Sequence, residues 1–412
     1  SHSARRFLKK LNVFYVGWGE RWPLATLADN GKALLFEYTE EALRQQLELS
    51  PRLLKLRVAA YGDFPGHQMR LPGLVADSLP DGWGLLLMDR AFRRAGLQSV
   101  SPLDRLAFIG DRAMGALSYE PADSDTLPDE DVKLLDVARQ VQTVVDGTDT
   151  EVLRRLMLLG GSPQGARPKA LVYYDPASGV MRTQASQTEE PWLVKFPANR
   201  EHKDTCALEY AYTQLAGECG LEMPQTRHFD LDSRHAAFGI QRFDRQKGMR
   251  VPMHTLAGFL HADFRIPSVD CTTFLRATRA ITHDEREVAK AFRRVVFNVV
   301  FNNRDDHVKN FAYCLNQQRQ WKLAPAYDLT FNEGPGGEHQ MDVCGEARAP
   351  GRAELLRLAD DAAVPLAQAR LVIDLIASVA SNLKVNLADY PIRKLRQREV
   401  IRAVEANLAR LV

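Results

Sequence analysis

Over residues 11–60 the apolar positions come in short runs. Val13-Phe14-Tyr15-Val16 and Ala33-Leu34-Leu35-Phe36-Glu37-Tyr38 predict strands, and Asp29-Asn30-Gly31 between them is a turn signal. The spacing becomes helical over 75–95 and 104–109, with Pro80-Asp81-Gly82 as an interruption, and 113–119 reads as a further strand. Residues 121–131 are acidic, polar and contain proline, which predicts a linker.

A second block opens near Val132. Helices are predicted over 132–147 and 151–159, then strands over 170–174 and 191–197. Ala207, Ala211, Leu215 and Cys219 fall at successive i+4 positions and predict a helix over 204–219, with Asp204 placed to cap it and Gly220 to end it. After a strand over 237–244 the pattern is mostly helical. After its first residues the segment 285–301 turns apolar on nearly every face, as in a buried central helix, and amphipathic helices over 363–384 and 393–411 close the chain.

Composition narrows the class without naming a function. At 412 residues, 45% hydrophobic and 26% charged, the chain can hold two or three units of a globular protein. The formal charge of +2 gives no whole-protein case for nucleic acid, and Arg5-Arg6 and Lys9-Lys10 read as solvated faces. Cys206, Cys219, Cys271, Cys314 and Cys344 are odd in number and form no CxxC pair, which argues against a disulfide framework or zinc site and suits a reducing cytosol. No apolar run has the length of a membrane span or the flanks of a signal peptide, so a cytoplasmic protein with no membrane partner is expected. Ser1-His2-Ser3 stands where an initiator Met would be, so a tag remnant or trimmed start is expected, with further residues upstream.

The chemistry concentrates in Asn302-Asn303-Arg304-Asp305-Asp306-His307-Val308-Lys309-Asn310-Phe311. Arg-Asp followed five positions later by Asn is the spacing of a kinase catalytic loop, where the Asp takes the proton of the attacking hydroxyl and the Asn holds magnesium. Asp328, in a Tyr-Asp-Leu eighteen positions past Asn310, supplies a second metal ligand. Gly160-Gly161-Ser162-Pro163-Gln164-Gly165-Ala166-Arg167-Pro168-Lys169 is a glycine-rich loop that can approach an anion. It is not a Walker A loop, since no Lys-Ser or Lys-Thr follows Gly165. Taken alone the motif is weak, and a plain surface turn is the preferred reading. Lys195, inside an apolar strand, fits a phosphate-binding lysine oriented by Glu209, or a lysine that snorkels. Gln241-Arg242-Phe243 fits a nucleotide hinge or a plain connector. The Asp305-Asp306-His307 cluster is also readable as a polar helix-end turn.

In this order the motifs resemble the HipA family, the kinase toxins of bacterial toxin–antitoxin modules. The resemblance spans essentially the whole chain. It is carried by Leu79-Pro80-Asp81-Gly82, the loop from Gly161 to Lys169, Leu193-Val194-Lys195-Phe196-Pro197, Gln241-Arg242-Phe243-Asp244-Arg245, the catalytic loop and Pro325-x-Tyr327-Asp328. It implies an α+β, protein-kinase-like two-lobe fold with a mixed α/β N-terminal half, a small β-rich subdomain and an all-helical C-terminal lobe. The expected divisions are 1–125 (β-rich subdomain), 132–245 (N-lobe-like) and 246–412 (helical lobe).

The resemblance further implies a serine/threonine protein kinase using ATP and Mg2+, with Asp305 as base and Asn310 and Asp328 on the metal. Gln164, Gly165, Ala166, Arg167, Lys169, Lys195, Gln241, Phe243, His307 and Lys309 would contact the nucleotide, with Glu209 orienting Lys195. Ser162 would be autophosphorylated and switch the enzyme off, since a phosphoserine cannot share the pocket with ATP phosphates. The implied partners are a DNA-binding antitoxin, separate or fused upstream, DNA only indirectly, and a protein substrate such as an aminoacyl-tRNA synthetase. Gln241 departs from the family, which often has Glu there. Alternatives from other classes are a small-molecule kinase, a metal-dependent nuclease using Asp305, Asp306 and His307, and a silent regulator acting through a DNA-binding partner.

Overall fold

Alternation in Lys10–Tyr15 buries Leu11, Val13 and Tyr15 and leaves Lys10 and Asn12 exposed, the pattern of a strand with one face on a core. The computed structural model describes residues 9–97, 99–123, 126–146, 150–160, 163–186 and 188–412. In it this strand lies in an antiparallel five-stranded sheet, ordered Ala60–Tyr61, Leu34–Tyr38, Trp22–Asp29, Lys10–Tyr15, Leu117–Glu120. The register shifts between Val13 and Phe14. The helix Pro102–Ile109 packs on this sheet and begins with a Ser101–Asp104 capping box, with Pro102 in its first turn. The 75–95 region is two helices, Gly73–Ala76 and Gly82–Arg94, broken at the Pro80-Asp81-Gly82 turn.

The described residues divide into two compact units that interleave in sequence. One holds the described residues up to Arg200, with Asp230–His254 and Gly258–His261; the other holds Glu201–Phe229, Thr255–Ala257 and Ala262–Val412.

The first unit also contains the antiparallel strands Met181–Arg182, Lys169–Tyr174, Glu190–Lys195 and Ala236–Gln241, in that order. Five of the six residues of Ala236–Gln241 are buried, and the helix Leu134–Asp146 packs on that strand. The helix Thr150–Gly160 ends hard against Lys169–Tyr174: a Cβ on Gly160 would lie 2.0 Å from the Lys169 carbonyl oxygen, so only glycine fits.

In the second unit the helix Glu285–Val300 is central. Asp284 caps it, and Val288, Phe292, Val295, Val296, Val299 and Val300 are buried against the helices Cys271–Thr282, Leu366–Ser381 and Lys394–Ala409. The C-terminal region departs from an all-helical lobe: it holds the short strands Met249–Arg250 and Met253–Thr255 and the hairpin Ala312–Leu315 with Trp321–Leu323, which sits between the catalytic loop and Asp328. The helix Asp204–Glu218 ends as expected at Gly220, which has φ +80°. Its start differs from expectation. Asp204 is inside the helix and makes no cap; its buried carboxylate accepts the Arg393 main-chain N–H and pairs with that guanidinium. Tertiary pairing outweighed capping here, because a buried carboxylate needs a charged partner more than a helix end needs one acceptor. All five cysteines are free thiols, and among the described residues no helix is long and apolar enough to cross a membrane.

Candidate active site

The helix Glu285–Val300 ends at Phe301, and Asn302 turns the chain with φ +59°. The following residues are then fixed by backbone pairing. Asn332 N–H donates to the Asn302 carbonyl at 3.0 Å, and Arg304 N–H donates to the Asn332 carbonyl at 3.1 Å. The Arg304 side chain donates to the carbonyls of Gly337 and Arg348, so this arginine is spent on holding the loop. His307 caps a short 3-10 turn, Val308–Asn310, by accepting the Lys309 N–H at 3.2 Å.

Adjacent aspartates of the loop have opposite environments. The Asp306 side chain is 5% exposed and both oxygens are taken, by His339 Nδ1 at 2.9 Å and the Gln340 N–H at 2.8 Å. The Asp305 side chain is 49% exposed, with His307 Nε2 3.8 Å away. Asn310 donates its Nδ2 to the Asp305 main-chain carbonyl at 2.6 Å, which turns its own Oδ1 away from that bond. Tyr327 donates its hydroxyl to the Lys309 carbonyl at 2.6 Å, tying the loop to the segment that carries Asp328. Lys309 places its ammonium 4.0 Å from the Phe264 ring centroid, and the His307 ring packs on the same phenyl group at 5.2 Å.

Asn310 and Asp328 line one pocket, together with Asp306, Asn298 and Asn303. Asp328 has a left-handed backbone, φ +53°, an uncommon conformation for a non-glycine residue. Asn303 donates to Asn298 Oδ1 at 3.0 Å, and its own buried Oδ1 has no partner among the described residues. One carboxylate, one oriented amide oxygen and an orphaned amide oxygen are hard donors that fit Mg2+. Among the described residues no cluster of three or more His, Cys, Asp or Glu side chains could hold a metal, so the rest of its shell would be water and phosphate oxygen. The three-residue nuclease cluster does not form a metal site, because Asp306 is committed to His339 and Gln340.

In the first unit the glycine-rich loop leads into Lys169–Tyr174. Lys169 is buried and directs its ammonium to the Gln164 carbonyl. Lys169 and Lys195 are register partners on neighbouring antiparallel strands, so their side chains leave the same face. Gln164, Gly165 and Arg167 are half-buried and Ala166 is exposed, while Ser162 lies outside the described residues. Lys195 ends the strand Glu190–Lys195 and is half-buried. Glu209 is buried on the helix Asp204–Glu218 of the second unit.

The Gln241–Arg245 segment is a charged lock. Gln241 Nε2 donates to Glu190 at 3.0 Å, and Arg242 N–H donates to the Pro191 carbonyl. Asp244 is buried, accepts the Gly115 N–H and both neighbouring guanidiniums, and so ties the segment to the 113–117 turn. Burial alone would raise the Asp244 pKa, but Arg242 and Arg245 hold it well below the usual carboxylate range. Phe243 is half-buried between these arginines in sequence.

Sequence reasoning passed over Asn298, Asn303 and the Asp306–His339 pair. The signal for Asn298 was present: a lone amide in the apolar stretch from Val295 to Phe301 that closes the helix. His339 carried none, since it lies in a polar turn with no spacing rule.

The HipA-like C-terminal domain profile matches residues 161–385, and the HipA N-terminal domain profile matches residues 16–120. Y4dM of Sinorhizobium fredii, named as a candidate kinase, is 26% identical over 321 residues, covering 74% of this chain and 73% of that protein. Y4mE of the same organism, similarly named, is 27% identical over 276 residues, covering 60% and 63%. The fold matches a HipA chain from the Shewanella oneidensis HipA–HipB–operator DNA complex, with a TM-score of 0.69 at 16% identity over 97% of this chain and 96% of that one. With the C-terminal profile alone spanning more than half of it, the chain belongs to the HipA family.

Proposed function

We propose that this chain is a Mg2+- and ATP-dependent serine/threonine protein kinase and the toxin of a toxin–antitoxin pair. The observation that supports it most is the Asp305–Asn310 tie: a half-exposed carboxylate and an amide that shares a pocket with Asp328, locked in one short loop. In the transfer step Asp305 accepts the proton of a substrate serine or threonine hydroxyl. The hydroxyl oxygen bonds to the γ-phosphorus, the bond to the β–γ bridging oxygen breaks, and ADP leaves. Mg2+, when bound, would neutralise charge developing on the phosphates. Asn310 and Asp328 would hold it, and Asn303 would present its free oxygen to the metal's water shell. Lys195 is assigned to the phosphates, with Glu209 as its orienting carboxylate. Gln164, Gly165, Ala166, Arg167 and Lys169 form the phosphate cover, Gln241 and Phe243 flank the adenine, and His307 and Lys309 complete the nucleotide contacts.

The same reading makes Ser162 the site of self-phosphorylation that silences the enzyme. A DNA-binding antitoxin partner is supported by the HipA–HipB–DNA assembly of the Shewanella structure, and a component of translation, such as an aminoacyl-tRNA synthetase, is the proposed substrate. Incubation with ATP and Mg2+ followed by mass spectrometry tests this. A phosphopeptide containing Ser162 is the expected product; phosphate recovered only on an added antibiotic or metabolite would point to a small-molecule kinase.

A further inference from the structure

The turn Leu79-Pro80-Asp81-Gly82 has no part in the chemistry above, yet it grips the glycine-rich loop within the first unit. The Gly165 N–H donates to Asp81 Oδ1 at 2.6 Å, and the Gly165 carbonyl accepts the Trp83 N–H at 3.2 Å. Gln164 Nε2 reaches the Leu79 carbonyl at 3.5 Å. Both backbone groups of Gly165 are therefore held by residues 81–83.

Asp81 is placed as an N-cap. It precedes the helix Gly82–Arg94 with extended backbone, φ −125° and ψ −174°, but its side chain makes no capping bond. An aspartate there ordinarily serves its own helix. Here the carboxylate, on a residue only 7% exposed, goes to the loop instead. Both glycines sit at positive φ, and at Gly82 the approach itself leaves no room for a side chain. Gly82 has φ +49° and a Cβ there would lie 2.6 Å from the Gly165 oxygen; Gly165 has φ +120° and its Cβ would lie 2.5 Å from Lys169 Nζ. Lys169 holds the other flank through the Gln164 carbonyl, and its strand register aligns it with Lys195.

We infer that Asp81 is a positioning residue for the nucleotide: by taking the Gly165 N–H it fixes the path of the glycine-rich loop over the phosphates. The N-terminal region that carries the 79–83 turn is thereby a working part of the kinase. The functional half of this inference rests on the kinase reading; the clamp itself does not. A loop already ordered before ATP arrives loses less conformational freedom on binding, so the clamp acts on nucleotide affinity.

The test pairs two readouts on the full chain. Hydrogen–deuterium exchange without nucleotide compares wild type, Asp81→Ala and Gly82→Ala, and kinetics follow KM for ATP and kcat. Faster exchange confined to peptides from 163–169 is expected, with KM raised at least about tenfold and kcat changed by less than about threefold. Asp81→Asn keeps a neutral acceptor of the same size and should fall between wild type and Asp81→Ala; it also serves if Asp81→Ala does not fold. Unchanged exchange at 163–169 overturns the clamp. Faster exchange with unchanged KM overturns the positioning role. A wild-type chain that transfers no phosphate removes the kinase reading, and the positioning role with it, while the exchange data still report on the clamp.

Discussion

The side-chain amide of Asn310 donates to the main-chain carbonyl of Asp305 at 2.6 Å, so the proposed base and the proposed metal ligand move as one piece. The D-x4-N spacing has a physical reason in this bond. Five residues with a 3-10 turn inside them bring the amide back onto the carbonyl that begins the loop.

Asn310→Ala removes both the tie and the metal oxygen, and phosphate transfer should fall by about 10²-fold or more. Asn310→Asp returns an oxygen ligand without the donor. It should recover Mg2+ dependence at lower concentrations than the alanine variant while leaving the rate low. Mg2+ titrations of initial rate separate the two effects.

The two adjacent aspartates should differ sharply in stability. Asp306→Ala leaves His339 Nδ1 and the Gln340 N–H without their acceptor, at a cost of about 1–3 kcal/mol for each buried group. Asp305→Asn changes a half-exposed side chain and should stay within about 0.5 kcal/mol of wild type. Urea midpoints of the two variants, measured side by side, check the contrast.

His261 links stability to mild acid. Burial first, and the neighbouring His254 and His67 second, push its pKa down to about 4, and its Nε2 accepts the Gly73 N–H at 3.0 Å. The unfolded imidazole titrates near about 6.5. Above that pH the contribution is complete. As pH falls from about 6.5 towards about 4, the unfolded chain takes up a proton that the folded chain refuses, and stability declines. His261→Gln keeps an acceptor without the titration and should flatten the denaturation profile between about pH 7 and 4.5.

Asp244 acts in stronger acid. Its folded pKa is held low by Arg242 and Arg245 against the effect of burial, so its contribution is present above the unfolded value of about 3.9 and is lost as pH drops below it. At neutral pH, Asp244→Asn strands buried guanidinium charge and should cost about 3–5 kcal/mol. The variant should then lose less further stability than wild type on acidification to pH of about 3, as read by chemical denaturation.

Much of this architecture could be read in the residues. The alternation in Lys10–Tyr15, the i+4 series in Asp204–Glu218 and the apolar run in Glu285–Val300 each produced the element that their period requires. The loop from Asp305 to Asn310 was legible because its function depends on spacing, and spacing survives in one dimension. What escaped depends on contacts between distant residues. Asp204 had the position of a cap and instead met Arg393, 189 residues away. Asp81 likewise had the position of a cap and met Gly165, 84 residues away. His339 is defined only by the buried carboxylate it faces. Of the hairpin Ala312–Leu315 with Trp321–Leu323 only a strand ahead of Asp328 could be read, since strands of four and three residues carry too little periodicity to stand out from helical surroundings.

The most direct measurement is incorporation of radiolabelled phosphate from ATP, with Mg2+, by the wild-type chain and by Asp305→Asn, both shown folded by circular dichroism. Self-labelling or labelling of a protein substrate by wild type, reduced about 10²–10⁴-fold in the variant, is the predicted result. Equal labelling by both proteins, or none by wild type with Mg2+ present, would contradict it.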